Sequence, residues 1–294
     1  MSGTRPLEAW LDGSFVRVDE AKVSAFDAGF QHAVGLFETM TARGSRVLHL
    51  NQHLDRLENS LRSLRLSEQL RSGPLAEAIQ STVDAASIEV ARVRVTITGG
   101  DLNLLHDGGD GHEPTIMIVA QPATAYPGEL FEKGIRATVA DARANPLDPF
   151  ASHKTLSYWS RLSELQAAAA KNASEALWFT VSNHLAGGCV SNVVLVKDGE
   201  LSSPIVRGEE PDGGLPSPVL PGVVREEVLG RAAGEGRPVH RRMLDIDAVL
   251  AADEILLTNS SWGVMPVVGV ERETIGDGEP GPVARAMRDW WLAE

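Results

Sequence analysis

The chain has 294 residues, a formal net charge of −13 and a single cysteine. That length suits one large or two modest domains with real cores, and the acidic balance argues against nucleic acid or an anionic membrane as the main partner, because nothing offsets repulsion from phosphate. One thiol, Cys189, excludes an intramolecular disulfide and a multi-thiolate metal site, no segment reaches the roughly 18 apolar residues of a membrane span, and Met1 to Gly13 lacks a secretory pattern, so a cytoplasmic protein is expected.

Ala9-Trp10-Leu11 and Phe15-Val16-Arg17-Val18 flank Asp12-Gly13 and read as a hairpin. A strand over Gly35-Leu36-Phe37-Glu38-Thr39-Met40 leads to a second strand past Arg43-Gly44. Residues 51–66 form a helix, because Leu54, Leu57, Leu61 and Leu64 recur at steps of three and four. Arg56 points away from that stripe and reads, on the residues alone, as a solvated arginine. A second helix covers 74–88, and Ala91 to Thr98 alternates as a strand that stops at Gly99-Gly100. The glycine-rich loop 105–112 holds two histidines and two aspartates at spacings that match no ligand pattern, so no metal is expected there. Thr115 to Ala120 is a further strand. This gives an N-terminal α/β domain over 1–120, a linker over 121–130 carrying Pro122, Pro127 and Gly128, and a C-terminal domain over 131–294.

The C-terminal domain opens with a strand at 135–140 and passes through the proline-broken loop 145–149 to Lys154. An alanine-rich helix follows from Tyr158 to Lys171, then a strand over Glu175 to Val181, a turn at Ser182-Asn183-His184, and a strand through Val193 to Val196. Leu220-Pro221-Gly222-Val223-Val224 opens another helix, where a glycine with exposed amides is either a plain turn glycine or a phosphate seat. Ile255 to Gly263 is a strand breaking into a hydroxyl-rich turn at Thr258-Asn259-Ser260-Ser261, and a last helix carries Val283, Met287, Trp290 and Trp291.

Among only five lysines, Lys22, Lys133, Lys171 and Lys197 have ordinary solvated, capping or turn positions. Lys154, followed by Leu156, Tyr158 and Trp159, reads as half-buried. A half-buried lysine either snorkels or, with its pKa lowered, attacks carbonyls as a Schiff-base amine.

The runs HKTLSYWSRLSELQAAA, CVSNVVLVKDGELSSP, LPGVVREEVLGRA and DEILLTNSSWGVMPV, in that order and at those spacings, resemble the class IV aminotransferases, the fold-type IV pyridoxal-phosphate enzymes. That family includes branched-chain and D-amino-acid aminotransferases and aminodeoxychorismate lyases. The resemblance implies a mixed α/β (α+β) two-domain fold, with a small N-terminal α/β domain and a larger C-terminal pseudo-barrel domain. It implies pyridoxal 5'-phosphate bound through Lys154, with Lys154 then moving the substrate α-proton. It makes Arg56, in His53-Leu54-Asp55-Arg56-Leu57, a phosphate ligand with Thr258 and the amides of Gly222, Val223 and Val224, and makes Leu220 and Asn259 cofactor-binding. Tyr158 would meet the phenolic oxygen of the cofactor, and Glu38, Thr39 and Arg94 would stand on the substrate side.

One departure concerns the acid five residues before the family's asparagine, which keeps the pyridine nitrogen protonated. Counting back from Asn192 gives Gly187. Another acid reaches the nitrogen, or the chemistry needs less carbanion stabilisation, or the chain is an impaired homologue; Gly187→Glu is expected to raise transaminase turnover. The readings are an aminotransferase moving an amino group between a small amino acid and a 2-oxo acid, an aminodeoxychorismate-lyase-like enzyme releasing pyruvate and 4-aminobenzoate, or a non-catalytic binder, with a homodimer expected in each case.

Overall fold

Asp12 and Gly13 both adopt positive φ, 46° and 94°, the geometry that lets a two-residue turn follow strand twist. They join β1 (Glu8–Leu11) to β2 (Ser14–Arg17) as the sequence predicts. The computed structural model describes residues 8–67, 70–101 and 113–294. The loop expected to hold no metal, 105–112, lies outside the described residues.

The chain divides into Met1–Thr124 with His153–Ser157, and Ala125–Ser152 with Tyr158–Glu294. In the first unit the hairpin is followed by α1 (Ala28–His32), β3 (Gly35–Arg43), β4 (Arg46–Val47), α2 (Leu50–Ser63), α3 (Ser72–Ala86), β5 (Val90–Thr98) and β6 (Ile116–Pro122). The six strands form an antiparallel sheet in the order β2-β1-β6-β5-β3-β4. Leu36, Met40, Val93, Val95, Ile97 and Ile118 line one face and pack against Leu54, Leu57 and Leu61 of α2 and Leu75, Ile79 and Val83 of α3. The leucine stripe in α2 and the alternation in β5 are therefore two sides of one core.

β6 runs through Pro122, and a short helix, α4 (Glu129–Glu132), occupies the end of the stretch expected as linker. His153–Ser157, which carries Lys154, belongs to the first unit because its backbone joins β3. Phe37 N donates to Lys154 O at 2.9 Å and Leu156 N to Gly35 O at 3.0 Å. Gly35 permits this approach, since a Cβ there would stand 2.7 Å from the Leu156 side chain.

The second unit continues with β7 (Ile135–Ala144), α5 (Trp159–Ala170), β8 (Glu175–Thr180), β9 (Leu185–Gly188), β10 (Asn192–Lys197), β11 (Glu200–Ser203) and α6 (Val223–Gly234). β12 (Val239–Arg241), α7 (Ile246–Leu250), β13 (Glu254–Asn259), β14 (Gly263–Val270), β15 (Glu273–Thr274) and α8 (Pro282–Ala293) complete it. Its sheet runs β12-β11-β10-β13-β14-β7-β8-β9, with β15 on β14. β14, β7 and β8 are parallel neighbours, as are β11 and β12. β9, at one end, also lies beside β10 in the interior of the order, so the sheet curls into a half-barrel. Leu177, Phe179, Val193, Leu195, Ile255 and Leu257 fill one core, and Ala168 of α5 packs with Ala140, Ala176 and Trp178 in another. Alanines keep that helix close to the sheet. β9 escapes the sequence reading because Leu-Ala-Gly-Gly carries almost no strand signal.

Candidate active site

In the first unit, the two faces of β3 do different work. Phe37 and Thr39 pair with Thr96 and Arg94 of β5, so these four side chains share the face opposite the core. The Arg94 guanidinium lies 3.9 Å from the centre of the Phe37 ring, and its Nε donates to Thr96 Oγ1 at 3.2 Å. Lys154 Nζ lies 4.4 Å from the same ring centre. An aromatic face thus gathers two cations. Lys154 is half-buried, as its sequence neighbours imply, and its backbone is fixed by β3.

Glu38 faces the other way and is 1 % exposed under α2. It accepts from Arg56 Nε at 2.8 Å and Nη2 at 2.6 Å, and from His53 Nδ1 at 2.7 Å. Burial opposes charge on Glu38, but the Arg56 charge and the His53 contact hold its pKa well below the usual carboxylate range. Burial lowers the pKa of His53, and the charges of Arg56 and Lys154 add to this against the opposing pull of Glu38. A neutral His53 therefore gives its Nδ1 proton to a charged Glu38. The expectation of a solvated Arg56 is corrected: its side chain is 10 % exposed, because the helix face away from the leucines meets the Glu38 carboxylate. Glu38, expected on the substrate side, is turned to the core and engaged by Arg56 and His53 rather than sharing the Phe37 face.

In the second unit, Asn192 of β10 pairs with Thr258 of β13. The Asn192 Nδ2 donates to Leu220 O at 2.8 Å, which pins the segment leading into α6. Gly222 is the N-cap of α6 and brings no side-chain cap, so the first amides of this helix, on Val223 and Val224, have no side-chain acceptor from that cap. Next to Asn192, Thr258 is 1 % exposed, and its Oγ1 is buried without a hydrogen-bond partner among the described residues. A buried hydroxyl left unsatisfied costs about 1–3 kcal/mol, and Asn192, the strand partner of Thr258, is clamped to the segment that opens α6, a helix start whose dipole favours an anion. This pair fits a phosphate dianion.

The other expected ligands are placed differently. Asn259 Oδ1 accepts from Ser261 N and Trp262 N at 2.9 and 3.0 Å, while its Nδ2 donates to Val190 O at 3.2 Å. Its side chain thus braces two turns rather than offering a ligand group. Leu220 contributes through its carbonyl to the Asn192 clamp. Tyr158 immediately precedes α5, with the Arg161 guanidinium 6.0 Å from its ring centre. Sequence reasoning missed Asn192 as the clamp on Leu220, although its position as the family's asparagine singles it out.

The curled mixed sheet of the second unit is that of the fold-type IV pyridoxal-phosphate proteins. The family model "Amino-transferase class IV" matches residues 35–270, and the chain belongs to that family. It is 29% identical to a putative branched-chain-amino-acid aminotransferase of Methanocaldococcus jannaschii over 285 residues, covering 96% of this chain and 94% of the relative. It superposes on the branched-chain amino acid aminotransferase of Escherichia coli with a TM-score of 0.89 at 25% identity, covering 98% of this chain and 94% of that one. With the 4-amino-4-deoxychorismate lyase of Pseudomonas aeruginosa the TM-score is 0.83 at 26% identity, covering 97% and 98% of the two chains. Enzymes of this family use pyridoxal phosphate, and another branched-chain aminotransferase of the same fold is solved with pyridoxamine 5'-phosphate. No helix among the described residues is long and apolar enough to cross a membrane.

Proposed function

We propose that this protein is a pyridoxal-phosphate-dependent aminotransferase that moves an amino group between a small amino acid and a 2-oxo acid. The observation that carries the reading is the orphaned hydroxyl of Thr258 and the uncapped start of α6, linked through Asn192, which together call for a bound phosphate. When bound, the coenzyme supplies an aldehyde for an amine and a ring that accepts electrons from the substrate α-carbon.

The chain's own residues do the rest. Thr258 donates its hydroxyl proton to the phosphate, and the Val223 and Val224 amides donate to it from the helix end. In the first unit Arg56 offers a guanidinium suited to a phosphate, its orientation fixed by Glu38 and, through Glu38, by His53; Glu38 is thus a positioning residue. Lys154 Nζ would hold the coenzyme and would move the substrate α-proton. Arg94, held over Phe37 by Thr96, offers a cation to a substrate carboxylate, with Thr39 beside it. Tyr158 is assigned to the phenolic oxygen of the coenzyme.

A second reading, a lyase releasing pyruvate and 4-aminobenzoate from aminodeoxychorismate, is favoured by one feature. Gly187 offers no carboxylate, which suits a reaction asking less of the ring as an electron sink. The reading includes a homodimer, for which the exposed Phe26, Phe30 and Trp159 supply apolar surface, and a cytoplasmic setting, which suits a buried free thiol at Cys189.

Reconstitution with pyridoxal phosphate should give visible absorbance, followed by amino transfer from a panel of small amino acids to 2-oxo acids. Pyruvate and aminobenzoate formed from aminodeoxychorismate without an oxo-acid acceptor would select the lyase. A protein that binds the coenzyme and does neither would overturn both.

A further inference from the structure

Gly187 has φ 151°, a conformation L side chains rarely adopt, and a Cβ added there would meet only the Ser191 carbonyl oxygen, at 3.0 Å. Its partner across the strand pair is Trp178, so Trp178 and any side chain at 187 share one face of the sheet. Onto that face α5 sends Arg161. Its Nη1 donates to Gly188 O at 2.9 Å and Cys189 O at 3.3 Å, and its guanidinium carbon lies 4.9 Å from the centre of the Trp178 ring.

Two carboxylates of the same neighbourhood are engaged by backbone. Glu164 accepts from the amides of Asp141 and Ala142 at 3.1 and 3.0 Å. Glu175, fully buried, accepts from Cys189 N at 2.8 Å, Ser191 Oγ at 3.0 Å, and the amides of Ala176 and Val190. The turn that Arg161 grips also reaches the phosphate seat, since Asn259 holds Val190 O and Asn192, the next residue after Ser191, holds Leu220. Within this unit, the cation and the anion seat flank one five-residue stretch, 188–192.

We propose that Arg161 is the side chain presented to the ring nitrogen of pyridoxal phosphate, in the place of a carboxylate, and that it holds this nitrogen as an unprotonated acceptor. This rests on the coenzyme assignment proposed above. Guanidinium carries five N–H groups and accepts nothing. The bonds to Gly188 and Cys189 use Nη1, and Nε and Nη2 bring three further N–H groups. Its fixed charge also opposes a second positive charge on the ring. The ring then withdraws electrons less strongly, so stabilisation of charge at the substrate α-carbon falls more heavily on the substrate itself.

The test is nitrogen NMR of the 294-residue protein reconstituted with pyridoxal phosphate bearing a heavy-nitrogen label in its ring, from mildly acid to mildly alkaline pH. The wild type should show an unprotonated ring nitrogen throughout. Arg161→Glu should shift the resonance to that of a protonated pyridinium, and Arg161→Gln should let the nitrogen take up a proton at higher pH than in the wild type. A pyridinium signal in the wild type overturns the proposal, as does a labelled Arg161→Glu or Arg161→Gln protein whose ring titrates like the wild type. Absence of any bound label in the wild type overturns the coenzyme assignment along with it, and is distinguished by that missing signal.

Discussion

Asn192 and Gly222 meet so closely that a Cβ on Gly222 would overlap the Asn192 side-chain oxygen. The glycine is required by its neighbour rather than by its own φ, which is an ordinary −79°. Gly222→Ala should push Asn192 off Leu220 O and tilt the start of α6. The expected cost is about 1–3 kcal/mol of stability, with coenzyme affinity falling about tenfold. Denaturant melts and an absorbance titration with pyridoxal phosphate measure both, and unchanged affinity would separate the clamp from the phosphate seat.

Thr258→Val should act in opposite directions with and without coenzyme. Removing a buried hydroxyl that lacks a partner should leave the apoprotein as stable or stabilise it by about 1 kcal/mol, because valine fills the same volume without a polar group. The coenzyme-loaded protein should bind its ligand about tenfold less tightly. Paired thermal melts read the sign change. An apoprotein destabilised as much as the loaded form would mean that the hydroxyl serves the fold.

The Glu38, His53 and Arg56 cluster predicts acid sensitivity. Glu38 and His53 both have folded pKa values below their ordinary ones, so the unfolded chain binds more protons and stability falls as pH falls. The His53 contribution is complete above about pH 6.5 and declines below it, and that of Glu38 declines below about pH 4.3. Glu38→Gln should flatten the lower part of this dependence and cost about 3–5 kcal/mol, since it leaves Arg56 buried beside a neutral group. Melts across this pH range in both proteins provide the check.

Gly187→Ala should destabilise by about 1–3 kcal/mol through backbone strain at φ 151° and crowding against Ser191 O. The same strain weighs against Gly187→Glu, whose expected gain in turnover is offset by the cost of a side chain at φ 151°. Calorimetry of Gly187→Ala, with coenzyme present and absent, tests this; equal stability would show that β9 relaxes freely.

Much of the fold was legible because local pattern and tertiary role agree. The α2 leucines and the alternating β5 side chains announce a face that the sheet then buries, and Asp12-Gly13 announces its own turn. β9 was not legible, because Gly187 and Gly188 serve tight backbone contacts with the 188–191 turn rather than strand propensity. Arg56 could not be read from helical geometry alone, since its partner Glu38 is 18 residues earlier in the chain. Lys154 was legible as half-buried, but its union with β3 depends on backbone bonds that no local pattern encodes. Arg161 sits in a helix dominated by alanine and leucine, where nothing in the sequence marks one arginine from another.

In the proposed function, Lys154 is the amine that carries pyridoxal phosphate, and every other assignment depends on it. Borohydride reduction of the reconstituted protein followed by peptide mapping addresses this most directly. The expected result is a phosphopyridoxyl label on Lys154 alone among the five lysines, with Lys154→Ala neither labelled nor able to transfer an amino group. A label on another lysine, or full transfer activity in Lys154→Ala, would contradict it.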